Sequence, residues 1–207
     1  MNSYQRLMAR LQGKPVDKIP NLSILMGFAA RYAGVCYRDF CRCPEAMVRA
    51  NIQCHEELGQ DIVTVMSDPY AEAMDQGVRV EFPESENPRC LQTLWADVPD
   101  AASLRELEVS QSPRMADRMQ TIRLYARQLK GQCPIAGWVE GPVEEYCDLR
   151  GINEALMDMA GEEEFLPDIL DKITRQAIYY IEEQVRAGAD IIGIGDAACS
   201  LIGPELY

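Results

Sequence analysis

Positive charge is scarce in this 207-residue sequence: 20 Lys and Arg stand against 33 Asp and Glu, with one histidine, for a net charge of −13 at pH 7. A surface of that sign repels a phosphate backbone and an anionic bilayer, which excludes nucleic acid and lipid headgroups as expected partners. No stretch approaches the roughly 18 to 20 apolar residues that a membrane span needs. The opening MNSYQRLMARLQGKP has no apolar h-region, so no secretory signal is read there and a cytoplasmic protein is expected. No CxxC pair occurs, although there are eight cysteines, at 36, 41, 43, 54, 90, 133, 147 and 199. Without a secretory signal they read as reduced thiols rather than a disulfide framework. Cys41 with Cys43 and Cys54 with His55 are the only close groupings, and a metal needs three or four convergent ligands, so no metal site is expected in the chain. A GxGxxG after the first apolar strand is also missing, which removes the main signature of a dinucleotide-binding sheet.

What is present is an alternation of short apolar strands and amphipathic helices. Residues 3–12 read as a helix stopped by Gly13 and Pro15, and Ile19 to Leu25 as a first strand. Pro44 opens a helix that Gly59 closes after Leu58. Asp61 to Met66 (DIVTVM) is rich in β-branched residues and suits a buried parallel strand. Residues 71–95 break the rhythm: VRVEF and CLQTLW read as a hairpin inserted on the main fold. Apolar positions 115, 119, 122, 126 and 129 mark a helix over 114–130. Pro134 to Val139 reads as a third core strand, 143–159 and 162–187 as helices, and Ala189 to Ile194 as a fourth strand. This order implies an α/β fold with a parallel sheet and right-handed crossovers. The expectation is a TIM (β/α)8 barrel family member, here a partial barrel of about four parallel strands in a single domain, 1–207. A complete eight-stranded barrel takes about 250 residues. The open edge and uncovered inner face then predict a homodimer or another association that covers the open barrel.

In such barrels the chemistry sits at the C-terminal ends of the strands. Those ends give Met26, with Arg31 shortly after; Asp68 and Tyr70; Glu140; and Asp196. Three carboxylates directly after apolar runs suggest one shared pocket that orients a ligand or moves protons. Acidic residues in such loops also cap the next helix, and that alternative stands beside the first.

Four blocks in order resemble the uroporphyrinogen decarboxylase superfamily: RLMARLQGKPVDKIP, LGQDIVTVMSDPYAEAMDQGVRVEFPE, WVEGPVEEYCDLRG and AGADIIGIGDAACSLIGPELY. The resemblance spans essentially the whole chain and implies a (β/α)8 barrel whose last four strands are absent here. Decarboxylases of that family carry Met-Arg-Gln-Ala-Gly-Arg-Tyr after the first strand, with arginines that bind substrate carboxylates. Here Met26-Gly27-Phe28-Ala29-Ala30-Arg31-Tyr32 keeps the second arginine as Arg31 and replaces the first by Gly27. Glycine offers no bidentate partner for a carboxylate. Glu144 and Glu145 replace Thr-Leu, and the family's pocket tyrosine falls near Asp148, with Tyr146 two positions away.

Asp68 matches the decarboxylases' essential aspartate. The family's corrinoid methyltransferase branch resembles the looser pattern better and implies methyl transfer between a corrinoid and a thiol such as coenzyme M. In that branch zinc activates the thiol, through ligands that lie outside this chain. The resemblance thus implies catalytic roles for Asp68 and Arg31, and substrate contacts for Met26, Tyr70, Glu140, Tyr146 and Asp196. It implies a corrinoid as substrate or partner cofactor, and a small-molecule or corrinoid-protein substrate. The alternatives are a uroporphyrinogen decarboxylase or a non-catalytic half-barrel.

Overall fold

In the computed structural model, which describes residues 1–206, the chain opens with α1 (Ser3–Leu11), started by a capping box. The Asn2 side chain accepts from the Gln5 amide, and the Gln5 side chain reaches back to the Asn2 amide. The next stretch departs from expectation. Residues 19–25 form no strand; they run beside Gln60 and Asp61, held by one backbone bond from the Asp61 amide to the Asn21 carbonyl. The Asp61 carboxylate accepts from the Asn21 amide, Ser3 and Arg6, so a side chain does the work of a ladder. Ile19, Leu22 and Ile24 are left exposed, which is why their apolar run misled. Met26 then enters α2 (Met26–Tyr32) at φ 39°, a left-handed conformation uncommon for a residue with a side chain.

α3 (Tyr37–Arg42) was not foreseen. α4 (Pro44–Leu58) starts on its proline and ends at Gly59, in left-handed geometry, as its sequence dictates. β1 (Val63–Thr64) is followed by α5 (Ala71–Gln76), which occupies the first six residues assigned above to the hairpin. The hairpin itself is β2 (Arg79–Glu81) against β3 (Arg89–Gln92), antiparallel. α6 (Pro113–Leu129) leads to β4 (Ile135–Glu140). The single helix expected over 143–159 is two, α7 (Pro142–Arg150) and α8 (Ile152–Ala160), because Gly151 takes φ 96° between them. α9 (Leu166–Ala187) and β5 (Ile191–Gly195) complete the order.

Among the described residues the parallel sheet has three strands, ordered β1-β4-β5, not four. It is an open, partial barrel. One apolar core lies between α2, α3, α4 and α6 and the strand residues Val63, Val65 and Ile135. A second gathers Trp95, Tyr146 and Leu149 with Ile169 and Ile173 of α9. No helix among the described residues is long and apolar enough to cross a membrane.

Candidate functional site

The site begins where β1 and β4 part. Their register covers only Val63 with Ile135 and Thr64 with Ala136, and the last bond runs from the Val65 amide to the Ala136 carbonyl. Backbone groups alternate sides along a strand, so those of Trp138 and Glu140 also face β1, which has already ended. Buried backbone groups need partners, and side chains supply them. The Gln184 amide, from α9, pairs with both Trp138 N–H (2.7 Å) and Trp138 C=O (2.9 Å). Glu72 Oε1, from α5, accepts from the Glu140 amide at 3.3 Å. Gly137 makes this possible, since a Cβ there would lie 2.5 Å from Gln184 Oε1.

A cluster of buried carboxyl groups occupies this wedge. Glu72 pairs with Arg118 at 3.2 Å. Asp68 pairs with Arg114 at 2.6 Å, accepts from Ser67 Oγ at 2.6 Å, and takes the Tyr70 amide at 3.2 Å in an Asx turn. Arg118 also donates to the Asp68 carbonyl at 2.6 Å. Glu140 accepts from Trp138 Nε1 at 2.9 Å. Glu145 and Asp148, from α7, are buried too, and Glu145 Oε2 and Asp148 Oδ2 have no hydrogen-bond partner among the described residues.

Both guanidiniums are therefore spent on Asp68 and Glu72, and Glu140, Glu145 and Asp148 have no ion-pair partner among the described residues. The electrostatic consequence is direct. Burial, then the charge of Glu72, pushes Glu140 up to about 9. Burial, then Glu144 and Glu72, pushes Asp148 up to about 8. Burial and the neighbouring carboxyls hold Glu145 well above the usual carboxylate range. At neutral pH Glu140 and Asp148 keep their protons, so the cluster can donate hydrogen bonds and act as a general acid. Beside it, burial and then the Asp148 charge push the half-buried Tyr70 phenol up to about 12.

The structure brings Asp68, Tyr70 and Glu140 to this one region. Met26 is half-buried against the first core, and Arg31 is exposed on α2. Two expected substrate contacts are otherwise engaged. The Tyr146 hydroxyl donates to Asp158 at 2.7 Å, and its ring packs on Trp95 inside the second core. Asp196 caps α7, accepting from the Glu144 amide at 2.8 Å, while Glu144 accepts from the Ala198 amide at 2.7 Å. Asp196 makes no side-chain capping bond to the short helix that follows it, so the helix it caps is an earlier one and not the next.

Sequence reasoning missed Glu72, Arg114, Arg118 and Gln184. A signal existed for the arginines: positions 114 and 118 flank Met115 and Met119 of the apolar stripe at helical spacing, so they lie at the edge of the buried face.

The residues present do not fit zinc. No group of three or more His, Cys, Asp or Glu among the described residues could hold a metal ion. His55 sits on α4 with Nδ1 2.6 Å from the Gln60 carbonyl. Burial pushes the Cys41, Cys133 and Cys147 thiols up to about 12, which disfavours the thiolate a metal requires.

Comparison with known proteins adds the family context. The family model described as uroporphyrinogen decarboxylase (URO-D) matches residues 2–207. The chain is 27% identical over 216 residues to the methylcobamide:CoM methyltransferase MtaA of Methanosarcina barkeri, covering 98% of this chain and 61% of that protein. It is 26% identical over 231 residues to the uroporphyrinogen decarboxylase of Pelobacter propionicus, covering 98% and 62%. In fold it superposes on a methyltransferase from Methanosarcina mazei with a TM-score of 0.87 at 23% identity, covering 100% of this chain and 63% of the other. The chain thus spans about three fifths of the length of these relatives.

Proposed function

The chain belongs to the uroporphyrinogen decarboxylase family, and from that premise we propose that it is part of a corrinoid-dependent methyltransferase, moving a methyl group between a corrinoid and a thiol. One observation carries this reading. Glu140, Glu145 and Asp148 stand together at the strand ends without a cation, while the buried guanidiniums are committed to Asp68 and Glu72. A porphyrinogen bearing eight carboxylates needs guanidiniums to meet it; Gly27 removes one that the decarboxylases have, and the two buried ones are already paired. A transferring methyl group carries no such demand.

In this proposal Arg31 and Asp68 take the catalytic roles, and Met26, Tyr70 and Glu140 face the substrate. Asp196 and Tyr146 act on α7: the first caps it, the second anchors it to Asp158. The protonated Glu140 supplies a hydrogen-bond donor where charge develops. Zinc, which the family branch implies for thiol activation, has no fitting ligand set among these residues. Val185, Ile194 and Leu201 are each more than half exposed near β5, and we extend the proposal to a homodimer or other association that covers them. Solution molar mass tests that part.

The test of function is a paired assay on the complete product of the gene. Methylcobalamin with coenzyme M is followed by the loss of methylcobalamin absorbance, and uroporphyrinogen is followed by decarboxylated products. Methyl transfer without decarboxylation supports the reading; decarboxylation without methyl transfer overturns it. The decarboxylase reading has its own support in Asp68, which occupies the position of that branch's aspartate. Asp68→Ala should lower turnover by at least tenfold in whichever reaction is found.

A further inference from the structure

An apolar-walled recess opens behind the carboxyl groups at the strand ends. It is a cavity of about 300 Å3 between α5, the 104–108 segment, α7 and α9. Leu104, Leu107, Ile173 and Ala177 make its walls, and Glu72, Glu140 and Glu145 lie on its lining. Met26, Arg31, Asp68, Tyr70 and Asp196 do not line it.

We infer that this cavity binds a small organic cation, an alkylammonium whose apolar body fills the Leu/Ile walls and whose ammonium meets Glu145. Two observations lead there. Glu145 is 5% exposed, and its Oε2 has no partner among the described residues. A buried polar atom left unpaired is costly, so a ligand that supplies the missing donor is favoured. The positive groups on the lining are all held elsewhere: Lys172 Nζ donates to the Ala101 carbonyl at 2.6 Å, Arg105 to the Asp75 carbonyl, and Arg175 pairs with Asp171 at 2.8 Å. Arg118, behind the floor, is paired with Glu72. The carboxyl floor therefore faces the cavity with no protein cation available, and an ammonium that arrives there displaces a proton and gains a charge-assisted bond. The recess shares Glu72, Glu140 and Glu145 with the carboxyl cluster described above, but amine binding there does not depend on the methyltransferase reading.

The recess has a definite mouth and frame. Gln176 fastens the 104–108 segment to α9 through two bonds with Leu107, its carbonyl accepting at 2.9 Å and its amide donating at 3.0 Å. This holds the walls apart before a ligand enters, so little ordering is required on binding.

Titration of the 207-residue chain by calorimetry with n-butylammonium, n-butanol and butyrate tests the inference. The expected result is 1:1 saturable binding of n-butylammonium with Kd on the order of millimolar, at least tenfold tighter than n-butanol, with butyrate not binding. Glu145→Gln should weaken n-butylammonium at least tenfold. Ala177→Phe fills the cavity from a partly exposed helix position and should abolish binding of the amine while leaving the circular dichroism spectrum unchanged; it serves if Glu145→Gln fails to fold. Absence of saturable amine binding, equal affinity for the alcohol, or full affinity in folded Ala177→Phe overturns the inference.

Discussion

Replacing Glu140 by glutamine removes a proton that the fold is forced to hold. An ordinary glutamate loses its proton near pH 4.5, whereas burial and the Glu72 charge keep Glu140 protonated to about 9. Below pH 4.5 the folded and unfolded chains both hold the proton, and the site is neutral in its effect. Above it the unfolded chain releases the proton and the folded chain does not, so stability is lost as pH rises until the folded group ionises. The loss is about 1.36 kcal/mol per pH unit, hence about 3.4 kcal/mol between pH 5.5 and 8 for this group alone. The rise at Glu140 is shared with Glu72 and Asp148, whose protons are linked to its own, so the per-group figure overcounts, and about 2 kcal/mol is the expected net effect.

Glutamine keeps the shape and an acceptor oxygen for Trp138 Nε1, so the bond of 2.9 Å survives. The advantage of Glu140→Gln over the parent should therefore grow by about 2 kcal/mol between pH 5.5 and pH 8, read from urea midpoints at unchanged slope. A variant whose advantage is the same at both pH values, or that shrinks toward pH 8, would refute the claim that this carboxyl is buried without a counter-charge.

The other predictions follow from single contacts. Arg118→Met leaves Glu72 buried without its partner and should destabilise the chain by about 3 to 5 kcal/mol, whereas Arg118→Met combined with Glu72→Met should recover most of the loss. Gly137→Ala pushes a methyl against Gln184 Oε1 and should lower the thermal midpoint through a loss of about 1 to 3 kcal/mol; recovery by Gln184→Ala in the same chain would not be expected, since Trp138 then loses its partner. Tyr146→Phe removes the hydroxyl bond to Asp158, about 1 kcal/mol, and should leave catalytic turnover unchanged. A tenfold fall in turnover would return Tyr146 to the substrate pocket. Asp196→Ala uncaps α7 and should cost about 1 kcal/mol, visible in urea unfolding.

The helices and the late strands were legible because their local signals agree with their tertiary roles. Pro44 and Gly59 bracket α4 at both ends, and the apolar stripe of α6 faces the core it predicts. The segment 19–25 was misread because an apolar run says nothing about whether a neighbouring strand has free backbone groups; here Asp61 takes those bonds with its side chain. Asp68 and Glu140 could be picked out because each stands at the end of an apolar β-branched or strand-forming run. Glu72 and Arg118 could not, because they meet across 46 positions in sequence from helices whose charged residues look like ordinary solvated faces. Asp196 shows the limit from the other side: a carboxylate after a strand reads the same whether it meets a substrate or the amide of Glu144.

The gap beyond β1 is bridged by Gln184 and Glu72, not by a neighbouring strand. Its aperture is accordingly governed by two rotamers carried on separate helices. Shortening either side chain would leave a backbone group of Trp138 or of the buried Glu140 unpaired, so the splay of the two strands is fixed by side-chain length at two positions.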